Sequence, residues 1–270
     1  MNGDRQAADS DAIGAVNFLT QSPVRVEILR RLDETDRLSK TELRDRFDVS
    51  RVTVQRNLDA LEERDWITNS LQEYRIRPLG SVVVEAVETA IEVADFAETI
   101  RPFLRWFPED ELAFDVQELA DATVVVSSAA DPYAPVNRHI NAITRSSEVR
   151  CLLPAIGLPA MRAVRECLAD REQRHEVIIS PEIESTICDE REYRELAAEL
   201  ASFETYTSRV SEREIGYYLG LFDDAIQLGV EDDDGVPRAL VETDSDEIRE
   251  WATSTYESYR SVSRPFALTV

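Results

Sequence analysis

The sequence predicts a chain of mixed α+β and α/β class, built as two modules joined by a helix. Three observations predict it. Apolar residues before residue 108 fall mostly at helical spacing, interrupted by one pair of short β-prone runs; β-prone and helical runs alternate after it; and charge divides unevenly between the two parts. Residues 1–80 hold 13 Arg or Lys against 15 Asp or Glu, whereas residues 81–270 hold 17 against 39. The acidity thins in the first module, where a polyanion would have to approach. The expected boundaries are 1–80 for a small N-terminal module, 81–107 for a connector helix and 108–270 for a larger α/β module.

A length of 270 residues with 43% apolar content supports two buried cores. No run approaches the roughly 18 apolar residues of a membrane span, and residues 1–21 lack the pattern of a secretion signal, so no membrane partner and a cytoplasmic location are expected. Cys151, Cys167 and Cys188 are odd in number and, like His139 and His175, lack metal-ligand spacing. No metal, disulfide framework or cofactor is expected, and each cysteine reads as a small buried apolar residue. Lys40 is the only lysine in a chain of net charge −24 and pI near 4.5. That balance resembles the proteins of salt-accumulating haloarchaea, in which dense carboxylates hold water. The acidity is therefore read as adaptation to salt rather than as a mark of a cationic partner.

In the first module, residues 12–20 and 24–32 have helical spacing and form a floor. Ser39 stands as N-cap with Glu42 at the capping-box position, ahead of Leu43 and Phe47 at i, i+4. Ser50 caps a second helix with Val54, Leu58 and Leu61 on one face. Its opposite face carries Val52, Arg56 and Asp59, with Arg51, Thr53 and Gln55 near the N-terminal end. The runs 66–68 and 74–77, joined by polar residues 69–73, form a hairpin that places Arg75 and Arg77 on one side. The alternative for those two arginines is pairing with Glu62, Glu63 and Asp65 at the preceding helix end.

The run VSRVTVQRNLDALEERDWI followed by YRIRPLG resembles the winged helix-turn-helix of archaeal and bacterial transcriptional regulators. The resemblance covers about a quarter of the chain and implies double-stranded DNA as the partner. The residues it points to are Ser39, Lys40 and Thr41 on the positioning helix, Ser50, Arg51, Val52, Thr53, Gln55 and Arg56 on the recognition helix, and Arg75 and Arg77 on the wing. Arg engages guanine bidentately, Gln engages adenine, and Val or Thr methyls touch thymine.

The segment 81–103 reads as a helix whose Val83, Val87, Ala90, Ala94 and Ala97 make a narrow seam, the spacing of a helix–helix contact and hence of a homodimer. Packing onto its own C-terminal module is the alternative. Beyond it, strand 122–128, helix 136–145, strand 149–153, helix 161–168, strand 176–179 and helix 193–201 alternate in a way that argues for parallel pairing. A meander over 216–222, 225–230 and 238–243 and a helix over 244–259 follow.

The runs LADATVVVSSAADPYAPVNRHINAI, VRCLLPAIG, YYLGLFDDAIQLGVEDDDG and WATSTYESYRSVSRP resemble the sensor domain of archaeal methanogenesis-type regulatory proteins. That resemblance implies a phospholipase-D-like fold without its catalytic motif. The His-x-Lys signature is absent, because the only lysine, Lys40, lies in the first module. No Gly-rich phosphate loop or G-x-S-x-G elbow is present either, so no catalysis is expected. The expected function is a homodimeric DNA-binding transcriptional regulator sensing a small, anionic metabolite. An adaptor recruiting transcription machinery without a ligand and a degenerate phosphodiesterase are the alternatives. Ligands in α/β sheets settle beyond the C-terminal ends of strands, which points to Asp131, Tyr133, Arg138, Arg150 and Tyr217 as the effector site.

Overall fold

The computed structural model describes residues 2–35, 37–170 and 173–268. Contacts divide the chain into two compact units, Met1–Asp95 and Phe96–Val270.

The first unit runs α1 (Asn2–Thr20), α2 (Pro23–Glu34), β1 (Leu38–Ser39), α3 (Lys40–Asp45), α4 (Arg51–Glu62), β2 (Ile67–Ser70), β3 (Glu73–Ile76) and the start of α5 (Pro78–Leu104). The apolar stripes meet in one core in which Leu19, Ile28, Leu29, Leu32, Leu43, Leu58 and Leu61 are fully buried. Each such leucine contributes about 1.5–3 kcal/mol relative to exposure. Ser39 closes a capping box on α3: its Oγ accepts from the Glu42 N–H at 3.2 Å, and its own N–H donates to Glu42 Oε2 at 2.8 Å. The sequence did not reveal β1. It joins the hairpin as a third strand, in the order β1-β3-β2, with Leu38 opposite Tyr74.

The hairpin turns on two residues, Leu71 and Gln72, both at positive φ (55° and 71°). Such a pair matches the right-handed twist of the strands, although neither residue is of the type that adopts it freely. Gly80, in the first turn of α5, lies so close to β2 that a Cβ there would meet the Trp66 carbonyl oxygen at 2.2 Å.

Helix α5 starts at Pro78 rather than Ser81, with proline at a position that needs no N–H donor. The expected seam is corrected by burial. Val87 is 3% exposed, and Val83 packs with Val84 beside it on the first unit's core. Ala90, Ala94 and Ala97 of the expected seam stay exposed, and the outward apolar residues Val82, Ala86 and Val93 fall with Ala90 at spacings of three and four, with Ile91 exposed beside them.

The second unit contains β4 (Thr123–Val126), α6 (Ala134–Arg145), β5 (Glu148–Leu153), α7 (Leu158–Asp170), β6 (Arg174–Ile179), α8 (Pro181–Asp189), α9 (Arg191–Ala201), β7 (Tyr206–Ser211), β8 (Tyr218–Leu221), β9 (Ile226–Glu231), β10 (Pro237–Thr243), α10 (Asp246–Ser261) and β11 (Ser263–Pro265). Eight strands form one mixed sheet in the order β11-β7-β6-β5-β8-β9-β10-β4. Only β5, β6 and β7 pair in parallel. The expectation of parallel pairing fails for β4, which lies antiparallel to β10 at the sheet edge, because the meander β8–β10 takes the place beside β5.

Alternation along the strands gives the sheet two apolar faces. Leu152, Ile178, Tyr217, Leu219 and Leu228 join Tyr256 and Tyr259 of α10 on one side. Cys151, Val177, Val210, Tyr218 and Leu240 join α6, α7 and α9 on the other.

Candidate functional site

The first unit presents the solvent face of α4. Ser50 caps that helix, accepting from the Thr53 N–H at 3.1 Å, with the two hydroxyl oxygens 2.9 Å apart, so Ser50 and Thr53 fix the helix start. Arg51, Val52 and Arg56 stand exposed, Val52 at 60%. Among the described residues no carboxylate pairs with Arg51 or Arg56. Gln55 is drawn inward. It is half-buried and donates Nε2 to Asp59 one turn on, so it is not poised as the two arginines are.

The inner face of α4 holds a residue that the apolar pattern did not flag. Asn57 is 5% exposed, accepts from Arg25 Nε at 2.9 Å and donates to the Thr53 carbonyl at 3.0 Å. The Arg25 and Arg64 guanidinium carbons each lie 4.0 Å from the Phe18 ring centroid. These contacts fix the roll of α4, and hence which residues it shows to solvent.

Ser39 serves as the α3 cap, Thr41 is exposed, and the Lys40 N–H donates to the Gln72 carbonyl at 3.2 Å, tying α3 to the wing tip. On the wing, Arg75 is exposed on β3. Arg77 lies just past the strand and pairs with Asp65 beyond the end of α4, the alternative weighed for it. Leu71 at the tip is 96% exposed.

The second unit holds a partly open cavity of about 250 Å³ between the sheet and α6 and α7. Its wall is mainly apolar, with Pro135, Val136, Leu153, Met161 and Val177 among its residues. The polar groups on it are His139, His175, Cys151, Tyr206, Tyr218 and Glu231. The Tyr218 hydroxyl lies 2.8 Å from His139 Nδ1 and 3.8 Å from Cys151 Sγ. His175 is 2% exposed and its Nδ1 has no hydrogen-bond partner among the described residues.

Burial sets the protonation states here. It depresses His139 to about 4 and, with His139 nearby, His175 to about 3, so both imidazoles are neutral at pH 7. Burial likewise pushes the Cys151 thiol up to about 12, so it is no nucleophile. Glu231 is raised to about 7 by burial and by Asp232. Among the described residues no cation or hydrogen-bond donor holds its carboxyl.

The effector residues read from the sequence are not brought together. Pro135 and residues 153–157 line the cavity, but the cations do not face it. Arg138 is engaged by both oxygens of Glu242, which also accepts from Gln227 Nε2 at 2.7 Å. Although burial opposes it, hydrogen bonds from Arg138 and Gln227 hold the Glu242 carboxyl below the usual range. Arg150 stands on the other face of β5, 3.6 Å from Glu257 of α10, because strand alternation sends it opposite Cys151. Tyr217 goes to that same face, against Phe107. Tyr133 is 68% exposed, and the Asp131 carboxylate caps its own turn by accepting from the Tyr133 N–H at 3.3 Å.

Residues 132–262 match the family described as the middle domain of the methanogenesis regulatory protein FilR1, and residues 13–113 match the HVO_A0261 N-terminal domain. Among solved structures the chain is similar to TrmBL2, an archaeal chromatin protein described as showing a novel mode of DNA binding. That likeness has 11% identity and a TM-score of 0.43, covering 93% of this chain and 98% of the other. It is also similar to Nuc, a phospholipase D family member from Salmonella typhimurium, at 14% identity and a TM-score of 0.43, covering 54% of this chain and 98% of the other. NucT from Helicobacter pylori is similar over the same shares, at 16% identity and a TM-score of 0.41. No curated protein matches the chain by sequence.

Proposed function

We propose that this chain, whose residues 132–262 match the FilR1 middle domain and residues 13–113 the HVO_A0261 N-terminal domain, is a regulator that reads a DNA operator as a homodimer and changes its occupancy when the second unit binds a small molecule. One observation carries the DNA part. In a chain of net charge −24, the outward face of a capped helix in a helix-turn-helix shows Arg51 and Arg56 free of carboxylates among the described residues, around the exposed methyls of Val52. A helix so equipped fits the major groove, where arginine pairs with guanine and valine meets thymine methyl groups. Arg75 on the wing adds a phosphate contact that carries no sequence information.

The exposed stripe Val82, Ala86, Ala90 and Val93 supports a helix–helix dimer contact through α5. Two copies would set two α4 helices against half-sites about one DNA turn, ~34 Å, apart. The cavity supports sensing rather than ligand-free adaptor work, since adaptors need no small-molecule space. No helix among the described residues is long and apolar enough to cross a membrane.

Genome-wide occupancy, followed by titration of the best site at the working salt concentration, tests this reading. The Arg51→Ala, Arg56→Ala double variant should lose the specific site while keeping its fold. Unchanged sequence preference in that variant would remove α4 as the reading helix.

A further inference from the structure

Resting on the reading of the second unit as a sensor, we propose that its cavity binds a small organic cation, an ammonium group on an apolar body of about the size of a substituted benzene. Three observations place charge, size and orientation.

The charge follows from the wall. Among the described residues no arginine or lysine lines the cavity, and the one carboxylic acid on it, Glu231, lacks a counter-ion. Neighbouring Asp232 is occupied by Arg238, so no local cation is spare for Glu231. An anionic ligand would enter a space whose only charged group among the described residues is a carboxylate, with two neutral imidazoles and two phenols beside it. An ammonium instead meets Glu231 and supplies the N–H donors that a carboxylate accepts. Burial beside Asp232 already holds that carboxyl up near about 7, as expected of an acid removed from water without a cation.

The size follows from the volume. An apolar cavity of ~150 Å³ holds benzene, so about 250 Å³ admits a ring and a short side chain. The apolar body would lie along Val136, Leu153, Met161 and Val177, replacing any water there without loss of hydrogen bonds. His175 offers a second polar anchor. Its Nδ1 is the imidazole atom on this wall without a partner among the described residues, and a hydroxyl or N–H on the ligand body would satisfy it.

The test uses the full-length protein and three probes of matched shape: 2-phenylethylamine, 2-phenylethanol and phenylacetate, titrated by calorimetry at pH 8. The amine should bind about ten-fold tighter than the alcohol or more, as a charge-assisted hydrogen bond to a buried acid warrants. Phenylacetate should be the weakest. Glu231→Gln should bring amine and alcohol to parity while leaving alcohol binding in place, and Ala160→Leu, which fills the cavity from α7, should weaken both. If the alcohol or the carboxylate binds wild type as tightly as the amine, or if Glu231→Gln keeps the preference, the cation assignment is overturned and an effector cavity of other chemistry stands. If none of the three binds at millimolar concentration, the cavity is not an effector site and the sensing role falls with it, leaving DNA reading by α4 untouched.

Discussion

The Tyr218 hydroxyl lies 2.8 Å from His139 Nδ1 at the centre of a buried polar chain that continues through Gln227 to Glu242 and Arg138. Burial keeps Tyr218 protonated, and its single proton goes to Gln227 Oε1, which only accepts, so His139 carries its proton on Nδ1 and donates it to the hydroxyl oxygen. This links α6 to β8, β9 and β10 through side chains that an apolar-periodicity reading passes over. It also removes Arg138 from any role as a free anion binder.

The second unit should lose stability as pH falls below about 6.5. His139 and His175 titrate near the ordinary imidazole value of 6.5 when unfolded but are depressed to about 4 and about 3 when folded, so the unfolded chain binds more protons across that window. Each imidazole contributes at most about 1.4 kcal/mol per pH unit. Glu231 acts in the opposite sense between 4.5 and about 7, because its folded form binds the extra proton, and so offsets part of the loss. Urea melts from pH 8 to pH 5 should show a shallower acid slope in His175→Gln and a steeper one in Glu231→Gln. A slope unchanged by His175→Gln would show that this ring is not held neutral by the fold.

Gly80→Ala should destabilise the first unit by about 1–3 kcal/mol, although alanine is the better helix former by about 1 kcal/mol. A Cβ at that position would stand 2.2 Å from the Trp66 carbonyl oxygen and 2.8 Å from Ile76 Cγ1. The first neighbour is backbone just ahead of β2, which cannot swing aside as a long side chain does. Thermal melts of the variant decide the sign, and a raised melting temperature would mean that α5 sits farther from β2.

Arg56→Ala should cost roughly 1–3 kcal/mol at one base pair of the operator and relax preference there. Arg77→Ala should leave DNA affinity close to wild type, because Arg77 is paired with Asp65, and should cost the fold less than about 1 kcal/mol as an exposed ion pair. Competition binding with operators mutated one position at a time separates the two. Equal losses on all sequences for Arg56→Ala would reassign it from base to phosphate contact.

Val82→Glu with Val93→Glu should give monomers with intact folded units, since both residues are exposed at 64% and 53% and neither fills a core. Light scattering reads the outcome. Val87→Glu would also change the assembly, but through unfolding, because Val87 is a core residue of the first unit. A dimer that survives the Val82 and Val93 changes would move the interface off the outward face of α5.

Local chemistry in the sequence determined the helix-turn-helix. Ser39 with Glu42 and Ser50 with Thr53 are short-range capping pairs, the i, i+4 stripe of α4 follows from helical geometry, and strand alternation put the wing where it stands. The type of most C-terminal elements was legible for the same reason, although α8, β7 and β11 were not read from the sequence. Tertiary structure decided what those elements face. Strand alternation is a rule of two, but which face meets α10 and which meets α6 and α7 depends on long-range packing, so Tyr217 and Arg150 were read into a site that belongs to Tyr218 and Cys151. The fate of charges is equally non-local. Arg138 meets Glu242, 104 residues away, and Arg77 meets Asp65 across the hairpin. Glu231 is left without a cation among the described residues, a relationship that no window of sequence contains.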